Sequence, residues 1–331
     1  MATRRAFIAV VGASLVACAA PRIVASPTPR LRRIGWLSGN AKESVENLSR
    51  PFVQRLRDLG YVEGRDFAIE WRIADTKLEL LPSLAQELVA LPVDVIVAEA
   101  GQAQTAAQHA TKVIPVVFVL ASDPLRDGFV ASLAHPGGNM TGMTTGSNPA
   151  SIKRVEMLKE TASTISKLAV LWNLSLPQQL TSNLPATIDA ARALGIAATA
   201  FPVRTVVDLE AAETVIEHER YDALIMLPSL SVVRERLGHV PDFANRIRLP
   251  QGYADEDMVR AGGLMSFNAN RPIQYRRAAD FVDKILRGAR PEDLPVEQPP
   301  QFDLILNLAT AQRIGLTVPP SVLAQAVEVI R

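Results

Sequence analysis

Apolar residues along this chain fall into short uninterrupted runs, separated by stretches with helical spacing. The first run covers 34–37. Behind it, Ser44 is positioned to cap a helix that lines up Leu48, Phe52, Leu56 and Leu59 on one face and stops at Gly60. Residues 67–73 then alternate like a strand, and a second helix carries Leu81, Leu84, Leu88 and Leu91 up to Pro92. Runs at 93–98 and 116–120 flank the alanine-rich segment 102–112. Strands that are apolar on both faces and separated by helices predict a parallel sheet covered on both sides.

The stretch 134–149 is broken by His135-Pro136-Gly137-Gly138-Asn139 and by further glycines, so it reads as a crossover. The alternation then restarts. Helical spacing through Ile152, Val155 and Leu158 precedes a run at 168–172, and Leu184, Ile188 and Leu194 precede one at 196–201. Leu209, Ala212, Val215 and Ile216 lead to 223–227, and Phe243 and Ile247 lead to 249–253. Gly262-Gly263 then introduces 264–267. A long helix (Ile273, Ala278, Phe281, Ile285), a proline-rich link at 291–300, a strand at 304–308 and short terminal helices complete the chain. Trp36, Trp71 and Trp172 all read as core residues.

The predicted fold class is therefore α/β, with two doubly wound parallel-sheet lobes joined by several crossovers into a clamshell. The expected division is an export signal and linker over 1–32, lobe 1 over 33–145 and lobe 2 over 146–268. Lobe 1 is completed by about 270–300, and 301–331 supplies a C-terminal strand and helices packing across the lobes.

The N-terminus departs from this pattern. Thr3-Arg4-Arg5-Ala6-Phe7-Ile8 opens an apolar run that ends near Ala20, of signal-peptide length and too short to span a bilayer. The twin arginine resembles a Tat export signal. Leu15-Val16-Ala17-Cys18 also fits a lipobox, in which Cys18 is lipidated; cleavage after Ile23-Val24-Ala25 is the competing reading. A periplasmic location is expected, with or without an anchor at Cys18.

Composition narrows the function. With 35 basic and 34 acidic residues in 331, no bulk field favours nucleic acid or anionic lipid. Cys18 is the single cysteine, so the body after the signal has no disulfide, thiol nucleophile or thiolate metal site. No G-x-S-x-G, H-E-x-x-H or phosphate-binding loop occurs. The histidines at 109, 135, 218 and 239 are scattered, without an oriented partner in the sequence. Asp255-Glu256-Asp257 reads first as a helix start. No catalytic residue, cofactor or metal ligand is expected.

Binding is better supported. In open α/β sheets ligands lie outside the carboxyl ends of the strands. Polar residues there are Ser38 and Asn40 after the first run, Glu99, Gly101 and Gln102 after the next, and Ser122 and Asp123 after 116–120. In the second half they are Asn173, Ser229, Tyr253, Ser266 and Asn268. Each has a structural alternative as a helix or turn cap. A buried Glu99 facing the cleft argues for a ligand with a positive charge or several hydroxyls; as a helix cap it carries no such message.

Several segments carry a family resemblance. They are Arg33-Ile34-Gly35, Leu59-Gly60-Tyr61-Val62-Glu63-Gly64, the stretch 128–142 (Gly128-Phe129-Val130 to Met140-Thr141-Gly142), Ala261-Gly262-Gly263-Leu264-Met265-Ser266, and Asp293-Leu294-Pro295-Val296-Glu297-Gln298-Pro299 with 304–320. Nearly end to end, the chain resembles ABC-importer substrate-binding proteins of the branch labelled tryptophan/tyrosine-type, with a type 1 periplasmic-binding fold. The resemblance implies a receptor, expected to be monomeric, that closes on a small amino-acid-like or aromatic-acid ligand and docks on permease subunits with their cognate ATPase. A ligand-sensing subunit on the same fold and, behind it, a periplasmic enzyme are the alternatives. Glu99-Ala100-Gly101-Gln102 and Ser122-Asp123-Pro124 depart from the residues relatives tend to carry, as do Tyr253-Ala254-Asp255-Glu256 and Phe267-Asn268. Ligand identity is thus the least transferable property.

Overall fold

The computed structural model describes residues 30–173, 183–228 and 237–331. Its first sheet contains β1 (Arg32–Ser38), β2 (Phe67–Ile73), β3 (Val95–Glu99), β4 (Val116–Ala121) and β5 (Met140–Thr144), in the order β2-β1-β3-β4-β5. All four pairings are parallel. Three helices follow its strands: α1 (Lys42–Asp58), α2 (Leu81–Ala90) and α3 (Gly101–Ala110). Burial on both faces explains the continuous apolar runs. Ile34, Trp36, Val95, Val97, Val117 and Val119 pack on one side, and Leu37, Ile96, Ala98, Val116 and Phe118 on the other.

The second sheet is larger. It holds β6 (Lys167–Asn173), β7 (Ala197–Val203), β8 (Ala223–Met226), β9 (Gln251–Tyr253), β10 (Met265–Ala269), β11 (Phe302–Asn307) and β12 (Ala326–Ile330), in the order β12-β11-β10-β9-β8-β6-β7. Every pairing is parallel except β10 with β11. Helices α4 (Ser147–Thr161), α5 (Asn183–Ala193), α6 (Val206–His218), α7 (His239–Arg246) and α8 (Glu256–Arg260) accompany it. After β10 come α9 (Arg271–Leu286), α10 (Leu308–Ile314) and α11 (Pro320–Leu323).

Helix α9 follows a strand of the second sheet but serves the first. Its Tyr275, Ala278, Ala279, Phe281 and Val282 share one core with Ile34, Trp36, Phe52 and Val95. Arg55 of α1 reaches Asp280 at 2.7 Å, and Arg277 reaches Glu297 at 2.6 Å. The chain then returns, and β11 and β12 extend the second sheet. That differs from the expected packing of 301–331 across both lobes: antiparallel register with β10 gives these residues a full ladder inside one sheet.

Three local expectations are corrected. The presumed crossover at 134–149 contains β5, all five residues of which are buried. Its glycine and threonines hide it from an apolar-run search. Helix α1 starts at Lys42, ahead of Ser44, because Asp75 accepts the Lys42 N–H at 3.1 Å from another segment. Trp71 is 38 % exposed, since β2 is an edge strand; it leans on Trp36 with ring centroids 5.3 Å apart.

Candidate functional site

Strand order places the crevices. In the first sheet the order reverses between β1 and β3, the position at which open α/β sheets bind ligands beyond the strand ends. The second sheet reverses at β6 and β8, so Asn173, the buried last residue of β6, lies at that switch. Three segments pass between the lobes, at 144–147, 269–271 and 298–302. They are tied to one another. Asn270 donates its N–H to Gln301 O at 3.1 Å and its side-chain amide to Asp303 at 2.6 Å, while its Oδ1 caps α9 through the Ile273 N–H. Gly146 adopts a left-handed conformation (φ +57°), and a Cβ there would fall 2.8 Å from the Phe302 ring. That ring stacks on Phe267 at 5.6 Å.

At the first switch, Ser38 and Glu99 are register partners at the ends of β1 and β3. Ser38 is fully buried and accepts the Asn40 N–H at 3.1 Å. Asn40 in turn donates its side-chain amide to Glu99 Oε1 at 3.1 Å. Tyr275, arriving on α9, donates its hydroxyl to the same oxygen. Glu99 is 1 % exposed, and its Oε2 has no hydrogen-bond partner. Burial and the adjoining Glu99 charge hold the Tyr275 phenol well above its ordinary pKa, so it stays a donor. The Tyr275 ring also stacks on Trp36 at 6.2 Å.

The backbone is bent to make this arrangement. Ala100 takes φ +58° and ψ 144°, a region almost restricted to glycine, and Leu120 at the end of β4 takes φ +64°. Two strained positions at adjacent strand ends point to function. Beside Tyr275, Gln274 is wholly buried with neither amide atom partnered. Arg271 binds Asp255 at 3.3 Å; burial works against its charge, but Asp255, with Tyr275 and Glu256 adding to it, more than offsets this and its pKa lies above the ordinary value.

The structure thus brings together Ser38, Asn40 and Glu99 and adds Tyr275, Gln274 and Arg271. Those three were missed because α9 reads as an ordinary amphipathic helix. The available signal was a glutamine and a tyrosine side by side one turn after a capping asparagine. Gly101 and Gln102 form the first turn of α3. Ser122 is half-buried after β4. Asp123 caps its own turn by accepting the Arg126 N–H at 3.1 Å.

The second lobe holds the remaining expected residues in a different setting. Tyr253 does not face a cleft: it is fully buried in the core around Leu224 and Met258, and its hydroxyl is taken by Gln251. Asn268 spends its amide on Ala254 O at 2.6 Å and accepts the Ala269 N–H, fixing the end of β10. Ser266 is buried within β10. Ser229 and Cys18 lie outside the described residues. Among the described residues no group of three or more His, Cys, Asp or Glu could hold a metal ion, and no helix is long and apolar enough to cross a membrane.

The same turn supplies a pH prediction. Burial, with the Asp123 charge adding to it against Arg126, raises the Asp127 pKa from 3.8 to about 6. A raised folded-state pKa gives a contribution that is complete below 3.8 and lost as the pH rises through 6. Asp127→Asn should therefore be more stable than wild type at pH 7, by up to about 3 kcal/mol, with no advantage near pH 3.5. Urea midpoints at the two pH values check it; an equal difference at both would refute the assignment.

Known proteins are similar to this chain in sequence and in fold. A curated tyrosine-binding protein of Clostridioides difficile (strain R20291) is 25% identical over 276 residues, covering 82% of this chain and 78% of its own. A solved ABC domain in complex with L-Trp from Streptococcus pneumonia superposes with a TM-score of 0.81 at 24% identity, over 91% of this chain and 100% of its own. A ligand-free, open substrate-binding protein with adhesive properties from Clostridium difficile gives 0.71 at 23% identity, over 91% and 99%. The architecture is that of type 1 periplasmic binding proteins, as the resemblance implied. The family model for ABC transporter substrate-binding proteins matches residues 41–330, and to that family this chain belongs.

Proposed function

We propose that this chain is an exported receptor of an ABC importer, which closes on a small polar organic ligand and delivers it unchanged to a membrane permease. The observation that carries the reading is the hydrogen-bonded polar cluster of Ser38, Asn40, Glu99 and Tyr275, all but Asn40 fully buried, at the switch point of one lobe. The three tied crossings beside it would let two lobes move as rigid bodies about a short hinge. Relatives that bear the names tyrosine-binding protein and L-Trp complex favour an amino-acid-like or aromatic ligand. Export is supported by the twin arginine and apolar run at the N-terminus.

The test is a thermal-shift and calorimetric screen of the purified full chain against amino acids, aromatic acids, amines and sugars. A ligand at several hundred times its Kd adds roughly 3–4 kcal/mol to apparent stability, a shift of several degrees. One coherent class should stabilise the protein and be recovered intact. Conversion of the bound ligand would favour an enzyme, and silence from every class would overturn the receptor reading.

A further inference from the structure

Glu99 is an acceptor with half its capacity unused. Two neutral donors, the Asn40 amide and the Tyr275 hydroxyl, converge on Oε1, while Oε2 is sealed from solvent without a partner. Among the described residues no lysine, arginine or histidine forms an ion pair with it; Arg271, on the same helix as Tyr275, is engaged by Asp255. A buried carboxyl oxygen without a partner is destabilising, and more so if it is charged. The strained Ala100 directly behind Glu99 shows that the backbone, too, is held out of its preferred range here. Gln274, next to Tyr275 in the chain, adds an unpartnered donor and an unpartnered acceptor.

We propose that Glu99 Oε2 is the anchor for a protonated nitrogen of the ligand. The inference rests on the receptor reading above and narrows it. The ligands are small organic ammonium or guanidinium compounds, and acids or sugars without such a nitrogen are rejected. A hydroxyl could donate one bond to Oε2, but it brings no charge, and the two donors already on this carboxyl are neutral. A cation supplies bond and charge together, where low polarity makes both strong. The Tyr275 hydroxyl keeps Oε1 occupied and so presents Oε2.

Matched pairs test this by isothermal titration of the full chain. L-Tyrosine is compared with N-acetyl-L-tyrosine, L-tryptophan with N-acetyl-L-tryptophan, and tyramine and agmatine with 4-hydroxyphenylacetate, malate and glucose. Binding is expected only among the protonated nitrogen compounds, with a loss of about 100-fold or more on N-acetylation. Glu99→Gln should weaken those binders by a similar factor. Tyr275→Phe should weaken them several-fold, since it removes one positioning donor. If Glu99→Gln does not fold, the wild-type pairs and Tyr275→Phe still decide. Tight binding of an acylated, acidic or sugar ligand, unaffected by Glu99→Gln, would overturn the cation assignment and leave the receptor standing. No binding by any compound would count against the receptor itself.

Discussion

Gly142→Ala should yield little or no folded protein. Gly142 sits in β5 at φ +146°, opposite Phe118 of β4. A Cβ there would fall against the Phe118 carbonyl, within 2.8 Å of its nitrogen and 2.9 Å of its carbonyl carbon. Neither partner is the end of a flexible side chain, so the two strands must part. Parting them also releases the Glu297 N–H, bonded to Gly142 O at 3.0 Å, and with it the link between β5 and the returning chain. The expected loss exceeds about 4 kcal/mol, in the range of rare and severe substitutions. Gly138→Ala, with open space and an ordinary φ, should stay within about 0.5 kcal/mol of wild type. Denaturation midpoints and soluble yield of the two variants decide; a well-folded Gly142→Ala protein would sink the argument.

Arg154→Ala is expected to cost about 2–4 kcal/mol, and the direction is a matter of competing magnitudes. The guanidinium is 2 % exposed, and burial alone lowers its pKa to about 10. Holding the charge there costs about 3 kcal/mol, which removal would recover. Against that stand hydrogen bonds to Tyr253 O at 3.0 Å and Phe267 O at 2.9 Å, whose carbonyls would be left buried and bare. Two such orphans at about 1–3 kcal/mol each, plus the cavity, outweigh the recovered charge. Arg154→Met fills the space but not the bonds and should lose about half as much. Equal urea midpoints for wild type and Arg154→Ala would show that the charge cost dominates instead.

The α/β class and two-lobed pattern were legible because doubly buried strands leave continuous apolar runs, as at Val95 to Ala98. Strand β5 was not, because Met140-Thr141-Gly142-Met143-Thr144 draws its burial from tertiary contact rather than from composition. At the site, strand-end logic reaches Ser38, Asn40 and Glu99, since Ser38 and Glu99 end β1 and β3 and Asn40 lies just beyond Ser38. It cannot find Tyr275, which meets Glu99 across 176 positions of chain, nor can it tell that Tyr253 turns into the core. Asn268 carried the same polar signal as Asn40 but answers a backbone carbonyl. Polar residues after strands look alike until their partners are known.

Neither lobe is made from one continuous piece of chain. The second lobe is left unfinished at Asn270 while α9 completes the first, and its last two strands are added only after Phe302. During synthesis, therefore, lobe 1 waits for residues 271–286 and lobe 2 waits for 302–330. Many native contacts span long stretches of sequence, which slows folding and leaves sheet edges open in the interval. The interleaving also means that no cut between the lobes releases a complete one. The two halves should melt in a single calorimetric transition rather than as separable domains.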